Sequence, residues 1–298
     1  MTESPRTVDR QRRCVRHGSG RSLPLGAALT AALTLAILLA MAEGGIGGET
    51  PTKNLSPAAQ KAVYPGSPAE MEKRAARDPL GFLRLSLKWC DEHVTDYTCR
   101  FTKQEKIDGT LQSAETMQMK FRANVFSVYL KWISEASADQ EVIYFEGKYD
   151  SKIVVHPSGL LGTLLRKVSL DPAGKLALKH SRRPLTFAGM ANMLRLVIPQ
   201  CERALSFGDL TLTYEGLRNE GGRPAYVFKR VLPNKNNYPC PVLMIYIDRQ
   251  FLTCVRTDGY DWDGSLLSQY IYSDITINPG LKDSDFDPEN GNYNYRLF

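Results

Sequence analysis

The sequence predicts an α+β fold, a strongly curved and partly closed antiparallel sheet with helices against its concave side. Three observations carry this reading. From Asp96 onward, short segments repeat apolar residues with a period of two. Two stretches, after Asp78 and around Thr186, switch to helical spacing. A meander of so many strands must curl or close to remove its edges. The 298 residues, 43% of them hydrophobic, allow one or two domains. No short repeat or sustained heptad is present, which removes low-complexity, collagen-like and coiled-coil classes.

The elements follow in order. Residues 1–42 carry Arg6, Arg10, Arg12, Arg13, Arg16 and Arg21 against Glu3 and Asp9, a net of +4 out of +6 for the chain. The remaining +2 is too small to suggest a polyanion, and nucleic acid is not an expected partner. Leu25 to Ala42 is apolar and uncharged and ends in Ala40-Met41-Ala42. A cationic leader, an apolar core and a small-x-small ending read as a secretory signal peptide, with an uncleaved anchor over 25–42 as the competing reading. Either places the rest of the chain outside the cytoplasm, in the periplasm or an equivalent compartment, with membrane contact expected only through the leader if it is uncleaved. Residues 43–77, rich in Gly, Pro, Ala and Ser, read as a flexible linker. One domain is expected over 78–298.

Asp78-Pro79 is a helix start, with Leu80, Leu83, Leu87 and Cys90 at helical spacing to about His93. Tyr97, Cys99 and Phe101 alternate, Asp108-Gly109 supplies a hairpin turn, and Met117, Met119 and Phe121 alternate again. Val125 to Ile133 is apolar on both sides and is expected to be covered on both faces. Val142–Phe145 and Ile153–Val155 flank the turn at Gly147–Asp150. Thr186 is read as the cap of a helix with Met190, Leu194, Val197 and Ile198 on its stripe, kinked or divided at Pro199. Strands resume over 210–214, 225–231, 242–247, 252–257 and 268–277.

Catalytic and metal signatures are sparse. The sequence lacks H-E-x-x-H, G-x-S-x-G and both Gly-rich phosphate motifs. No enzyme activity, cofactor or metal is expected. His156 beside Ser158 and the lone His180 leave a non-standard hydrolase as a third reading, less economical than a hydrogen-bonded turn histidine. Asp283 and Asp285 read as caps of a short turn tucking Phe286 into the core, rather than as calcium ligands. Asp261-Trp262-Asp263-Gly264 reads as a hairpin turn. Beyond Cys14 in the leader, Cys90, Cys99, Cys201, Cys240 and Cys254 allow two bridges and a spare thiol, or simply buried thiols, and the sequence does not set a pairing.

The candidate site is an apolar cleft. Large apolar groups recur on successive strands, and Met117, Met119, Phe121, Phe126, Leu130, Trp132, Tyr144, Phe145 and Tyr246 are its expected wall. Each buried methylene is worth about 0.8 kcal/mol, so an acyl chain could bind without a polar contact. Methionines repack around varied shapes.

Several blocks resemble a known bacterial family. They are Asp78-Pro79-Leu80, Asp96-Tyr97, Lys120-Phe121-Arg122, Phe126-Ser127-Val128-Tyr129-Leu130-Lys131-Trp132, Glu141-Val142-Ile143-Tyr144-Phe145-Glu146-Gly147-Lys148, Asp261-Trp262 and Asn278-Pro279-Gly280-Leu281-Lys282-Asp283-Ser284-Asp285-Phe286-Asp287. Together they resemble the domain-of-unknown-function family number fifteen seventy-one, over most of residues 78–298. That family is similar to the LolA-like group, whose type member carries lipoproteins across the periplasm. The resemblance implies an incomplete antiparallel β-barrel with helices as a lid over an apolar cavity, and implies no catalytic site. Asn124-Val125 stands where the pattern carries Pro-Phe, and Arg183 where it carries Tyr.

The leading expectation is an exported binding module for a lipid, a lipoprotein acyl chain or another hydrophobic ligand. It would serve cell-envelope assembly, with envelope lipoproteins as candidate partners. The alternative is a non-catalytic scaffold or protein-interaction domain whose interior is simply filled.

Overall fold

A computed structural model describes residues 65–134 and 137–295. The leader and the first part of the linker lie outside the described residues. Helix α1 (Pro68–Arg77) occupies the end of the stretch expected to be flexible. It forms because Ser67 and Glu70 make a reciprocal capping box, Ser67 N–H donating to Glu70 Oε2 at 2.7 Å, with Pro68 at the first helical position. Burial of Met71 and Ala75 then holds it to the domain. Helix α2 (Pro79–His93) starts as its sequence dictates, with Gly81 N–H donating to Asp78 Oδ1 at 2.8 Å. It buries Leu80, Phe82, Leu83, Trp89 and Cys90.

Twelve strands follow among the described residues, all paired antiparallel. They are β1 (Asp96–Ile107), β2 (Thr110–Leu111), β3 (Glu115–Arg122), β4 (Ser127–Trp132), β5 (Glu141–Phe145), β6 (Ile153–His156), β7 (Val168–Leu170), β8 (Thr211–Glu220), β9 (Arg223–Val231), β10 (Val242–Asp248), β11 (Cys254–Tyr260) and β12 (Leu266–Ile277). The sheet runs β7-β6-β5-β4-β3-β1-β12-β11-β10-β9-β8, with β2 paired only to β1. Its end strands β7 and β8 do not pair, so the curved sheet is an open, incomplete barrel. Asp108 (φ 47) and Gly109 (φ 80) make the turn between β1 and β2, where both central residues must take positive φ. The Asp261–Gly264 turn joins β11 to β12, closed by Asp261 N–H donating to the Ser265 carbonyl at 2.8 Å.

Between β6 and β8 lie a short helix α3 (Gly159–Leu164), β7, a lid segment over residues 171–188, and helix α4 (Met190–Ser206). The stripe Met190, Leu194, Val197, Ile198, Cys201 and Ala204 is buried. Two expectations are corrected here. Thr186 does not cap α4; it lies in a 3-10 turn (Leu185–Phe187), and Gly189 is the residue before the helix. Pro199 also does not divide helix α4, whose apolar stripe is buried on both sides of that residue.

The core has distinct parts. Helices α1, α2 and α4 cover one half of the concave face, where Phe82 meets Tyr226 (centroids 4.9 Å apart) and Phe228 (5.3 Å). The other half, on β1, β3–β6 and β12, lies under the lid segment and the first turn of α4. On the opposite face of β4–β6, Tyr129, Ile143, Phe145 and Val154 pack under a C-terminal segment through Phe286, Tyr293 and Tyr295. Strand β4 is thus covered on both faces over Ser127–Trp132, whereas Val125 and Ile133, expected at its ends, lie outside the strand and are exposed at 45% and 39%. Among the described residues, no helix is long and apolar enough to cross a membrane.

Candidate functional site: the concave apolar face

Strand register assembles the site. Met117 pairs across strands with Phe101 and Trp132, Met119 with Cys99 and Leu130, and Phe121 with Tyr97 and Val128. Val128 and Leu130 pair in turn with Tyr144 and Val142. Directly paired residues share a face, so Met117, Met119, Phe121, Leu130, Trp132 and Tyr144 form one apolar floor. Met117 is fully buried, and the other five are at most 8% exposed. Phe126, just before β4, joins them edge-on to Phe121 at 5.6 Å and beside Tyr144 at 5.7 Å.

The remaining two candidates are not on this floor, although Tyr246 belongs to the same buried cluster. Phe145 follows Tyr144 on one strand, so it points to the other face. There it meets Phe286 at 6.3 Å and sits under the Arg122 and Lys148 cations. Tyr246 alternates with Ile245 and Ile247, which meet the helices. It pairs with Val227 and Arg256 and lies 4.9 Å beneath the Arg256 guanidinium.

Buried hydroxyls tie the roof to this floor. Met190 N–H donates to Tyr97 Oη at 3.1 Å, and Gly189 N–H donates to Tyr272 Oη at 3.3 Å. Two orphan donors of the α4 N-terminus are thereby satisfied from β1 and β12, where a local cap would ordinarily serve. Burial pushes both tyrosines well above their usual range, so both stay neutral. Gly189 (φ 121) lies flat on Phe121, and a Cβ there would fall 2.6 Å from the ring.

One end of the floor is polar. On the face that holds Phe101 and Met117, Lys103 Nζ lies 3.1 Å from Glu115 and 3.6 Å from Glu105. Trp132 Nε1–H donates to Glu115 at 3.1 Å, and Tyr270 O–H donates to Glu105. The lid is fastened to this end. Lys103 Nζ donates to the His180 carbonyl at 2.9 Å, and Arg182 donates through N–H to Glu105 and through its guanidinium to the Lys106 carbonyl. Sequence reasoning missed Lys103, Glu105, Glu115 and Tyr270 as a group. Their shared signal was parity with Phe101 and Met117 along strands already identified.

A separate cavity of about 680 Å³ lies between α3 and the C-terminal segment, lined by Asp139, His156, Thr163, Arg166, Asn292 and Asn294 among others. None of the nine candidate residues lines it. His156 Nδ1 is 3.0 Å from the Arg166 carbonyl, and its ring packs on Tyr295 at 5.8 Å. Neither His156 nor His180 hydrogen-bonds a serine, threonine or cysteine side chain among the described residues. Cys90, Cys99, Cys201, Cys240 and Cys254 are all free and buried, so of the two cysteine readings the structure holds buried thiols. Asp283 and Asp285 brace the turn that buries Phe286, pairing with Arg122 and Lys148 and with Lys120 respectively.

Residues 94–295 match the model of the family described as "Protein of unknown function (DUF1571)". The chain belongs to this family. The matched stretch begins after α1 and α2 and takes in the whole sheet. Among curated proteins none matches the sequence. Solved structures similar to the chain include Mycobacterium tuberculosis lipoprotein LppX, at 16% identity and a TM-score of 0.42, with 70% of this chain and 100% of that one covered. Another is a putative outer membrane lipoprotein-sorting protein domain from Vibrio parahaemolyticus, at 12% identity, TM-score 0.35 and coverages of 73% and 98%. A third is the Pseudomonas aeruginosa MucA/MucB complex, at 13% identity, TM-score 0.43 and coverages of 70% and 60%. At such identities and scores the likeness concerns the course of the chain and no side chain of the site.

Proposed function

We propose that this chain is an exported, non-catalytic binding protein for a lipid, a lipoprotein acyl chain or a similar amphiphile. One observation carries the reading: an unbroken apolar floor that ends in a hydrogen-bonding cluster at Lys103, Glu105, Glu115 and Tyr270. An acyl chain with a polar head has the same polarity along its length. The apolar half of such a guest gains about 0.8 kcal/mol per methylene removed from water. The lid favours the same reading. It is non-helical over residues 171–184 and is fastened by hydrogen bonds to the polar end, so it can lift without unfolding the helices.

The closed form is packed. Tyr97 and Phe121 rings stack at 4.7 Å, and Phe101 and Tyr272 lie 4.8 Å apart. A guest must therefore displace the lid and repack the two methionines. This dense packing also favours the second reading, a scaffold whose interior stays filled. Extraction and mass spectrometry of the purified protein, followed by titration with palmitate, separates the two. A bound amphiphile or a one-to-one palmitate complex is expected of the binding protein; an empty protein that takes up no palmitate is expected of the scaffold.

A further inference from the structure

The stretch from Gly159 to Arg183 has a composition the rest of the domain lacks. It carries Arg166, Lys167, Lys175, Lys179, Arg182 and Arg183 against the single carboxylate of Asp171, a net of +5. Residues 1–42 account for +4 of the chain's +6, which leaves −3 for everything else. All six cations except Arg166 are exposed, and among the described residues none of the six makes an ion pair.

The same stretch exposes large apolar side chains. Leu160 is 73% exposed, Leu164 72% and Leu176 67%, with Leu165 at 49%. Leu160 and Leu164 stand one turn apart on α3, on one side of it. Exposed leucines set among unpaired cations combine the two attractions of an anionic bilayer surface, apolar insertion below the headgroups and Coulomb attraction at them. A protein partner would have to match an uncompensated +5 over a short segment, whereas an anionic leaflet does so by composition. The cavity beneath α3 adds a polar recess. Arg166 lines it, and its Nε is buried without a hydrogen-bond partner among the described residues.

We propose that residues 159–183 dock this domain onto an anionic phospholipid surface, with the α3 leucines inserted and the flanking lysines and arginines at the headgroup level. This contact is separate from any made by the leader. It does not depend on the interior holding a guest, but it would set the lid of the concave site against the source of its ligand.

Hydrogen exchange with mass spectrometry on the full chain tests this, because it reads the segment locally whatever residues 1–42 do. The probes are vesicles of phosphatidylcholine alone and of equal parts phosphatidylcholine and phosphatidylglycerol. Protection of residues 159–183 on the mixed vesicles only is the expected result, with β3 and β4 unchanged. A Leu160→Ser, Leu164→Ser, Leu165→Ser variant should lose that protection while its strands exchange as before. Lys175→Gln with Lys179→Gln should weaken vesicle docking of the segment roughly thirtyfold, from the usual surface attraction of each cation. Unchanged exchange on mixed vesicles overturns the proposal. So does equal protection on phosphatidylcholine alone, or protection that appears without vesicles as the protein is concentrated. None of these outcomes bears on palmitate uptake, so this proposal and the carrier reading can fail separately.

Discussion

Tyr97 and Tyr272 do work that their sequence neighbours do not reveal, because each holds the first turn of a helix that lies far along the chain. Tyr97→Phe leaves the Met190 N–H buried without an acceptor and should cost about 1 to 3 kcal/mol in urea denaturation. Gly189→Ala should cost about 3 kcal/mol, since alanine resists a φ of 121 and its Cβ would meet the Phe121 ring at 2.6 Å. The thiols give a third expectation at this scale. Burial pushes the Cys90 thiol up to about 12, with Asp91 adding to the shift, and also raises Cys99, Cys201 and Cys254. These four should resist iodoacetamide at pH 8 in the folded protein and react once urea unfolds it, as peptide mapping would show. The placement of Phe145 was legible without a structure. Consecutive residues on a strand face opposite ways, so Tyr144 and Phe145 could never share one wall.

At the scale of elements, the C-terminal segment acts as a latch on the outer face of β4–β6. Hydrogen bonds from Arg122 and then Lys148 hold the Asp283 carboxyl below its ordinary value of 3.8. Burial raises Asp285, but its bonds from Lys120 and the Lys282 N–H outweigh that and leave it lowered too. Carboxyls depressed in the folded state stabilise it fully above their unfolded value, and the gain fades as pH falls through the folded one. The latch should therefore hold at pH 5 and loosen below about 3.8. Pepsin cleavage at Phe286, buried at neutral pH, should become fast below that value while cleavage in β3 stays slow; equal rates at both sites would count against the latch. Element boundaries were legible where their causes are local. Asp78-Pro79, Asp108-Gly109 and the alternation along β3 and β4 all act within a few residues. Helix α1 was equally local, since Ser67-Pro68-Ala69-Glu70 is a capping box that a closer reading would have found. The start of α4 was not legible, because its caps come from β1 and β12.

For the whole molecule, the sheet divides its concave face between two roofs. Helices cover β9–β11, and a lid joined to a cationic, leucine-bearing segment covers β1, β3 and β4. An open antiparallel sheet was legible from the period of two and from its length. Which strands would meet was not, since β1 pairs with β12 across most of the chain. The polar end of the floor exists only through that pairing and the one between β1 and β3. The proposed binding function requires the apolar floor to admit a guest under its lid. Methionine methyl NMR during a palmitate titration tests this most directly, because Met117, Met119 and Met190 line the floor and roof while Met71 belongs to the helical half of the core. The expected result is saturable shifts at Met117, Met119 and Met190 with Met71 unmoved. Methyl signals that stay fixed at saturating palmitate, or that move only at Met71, would contradict it.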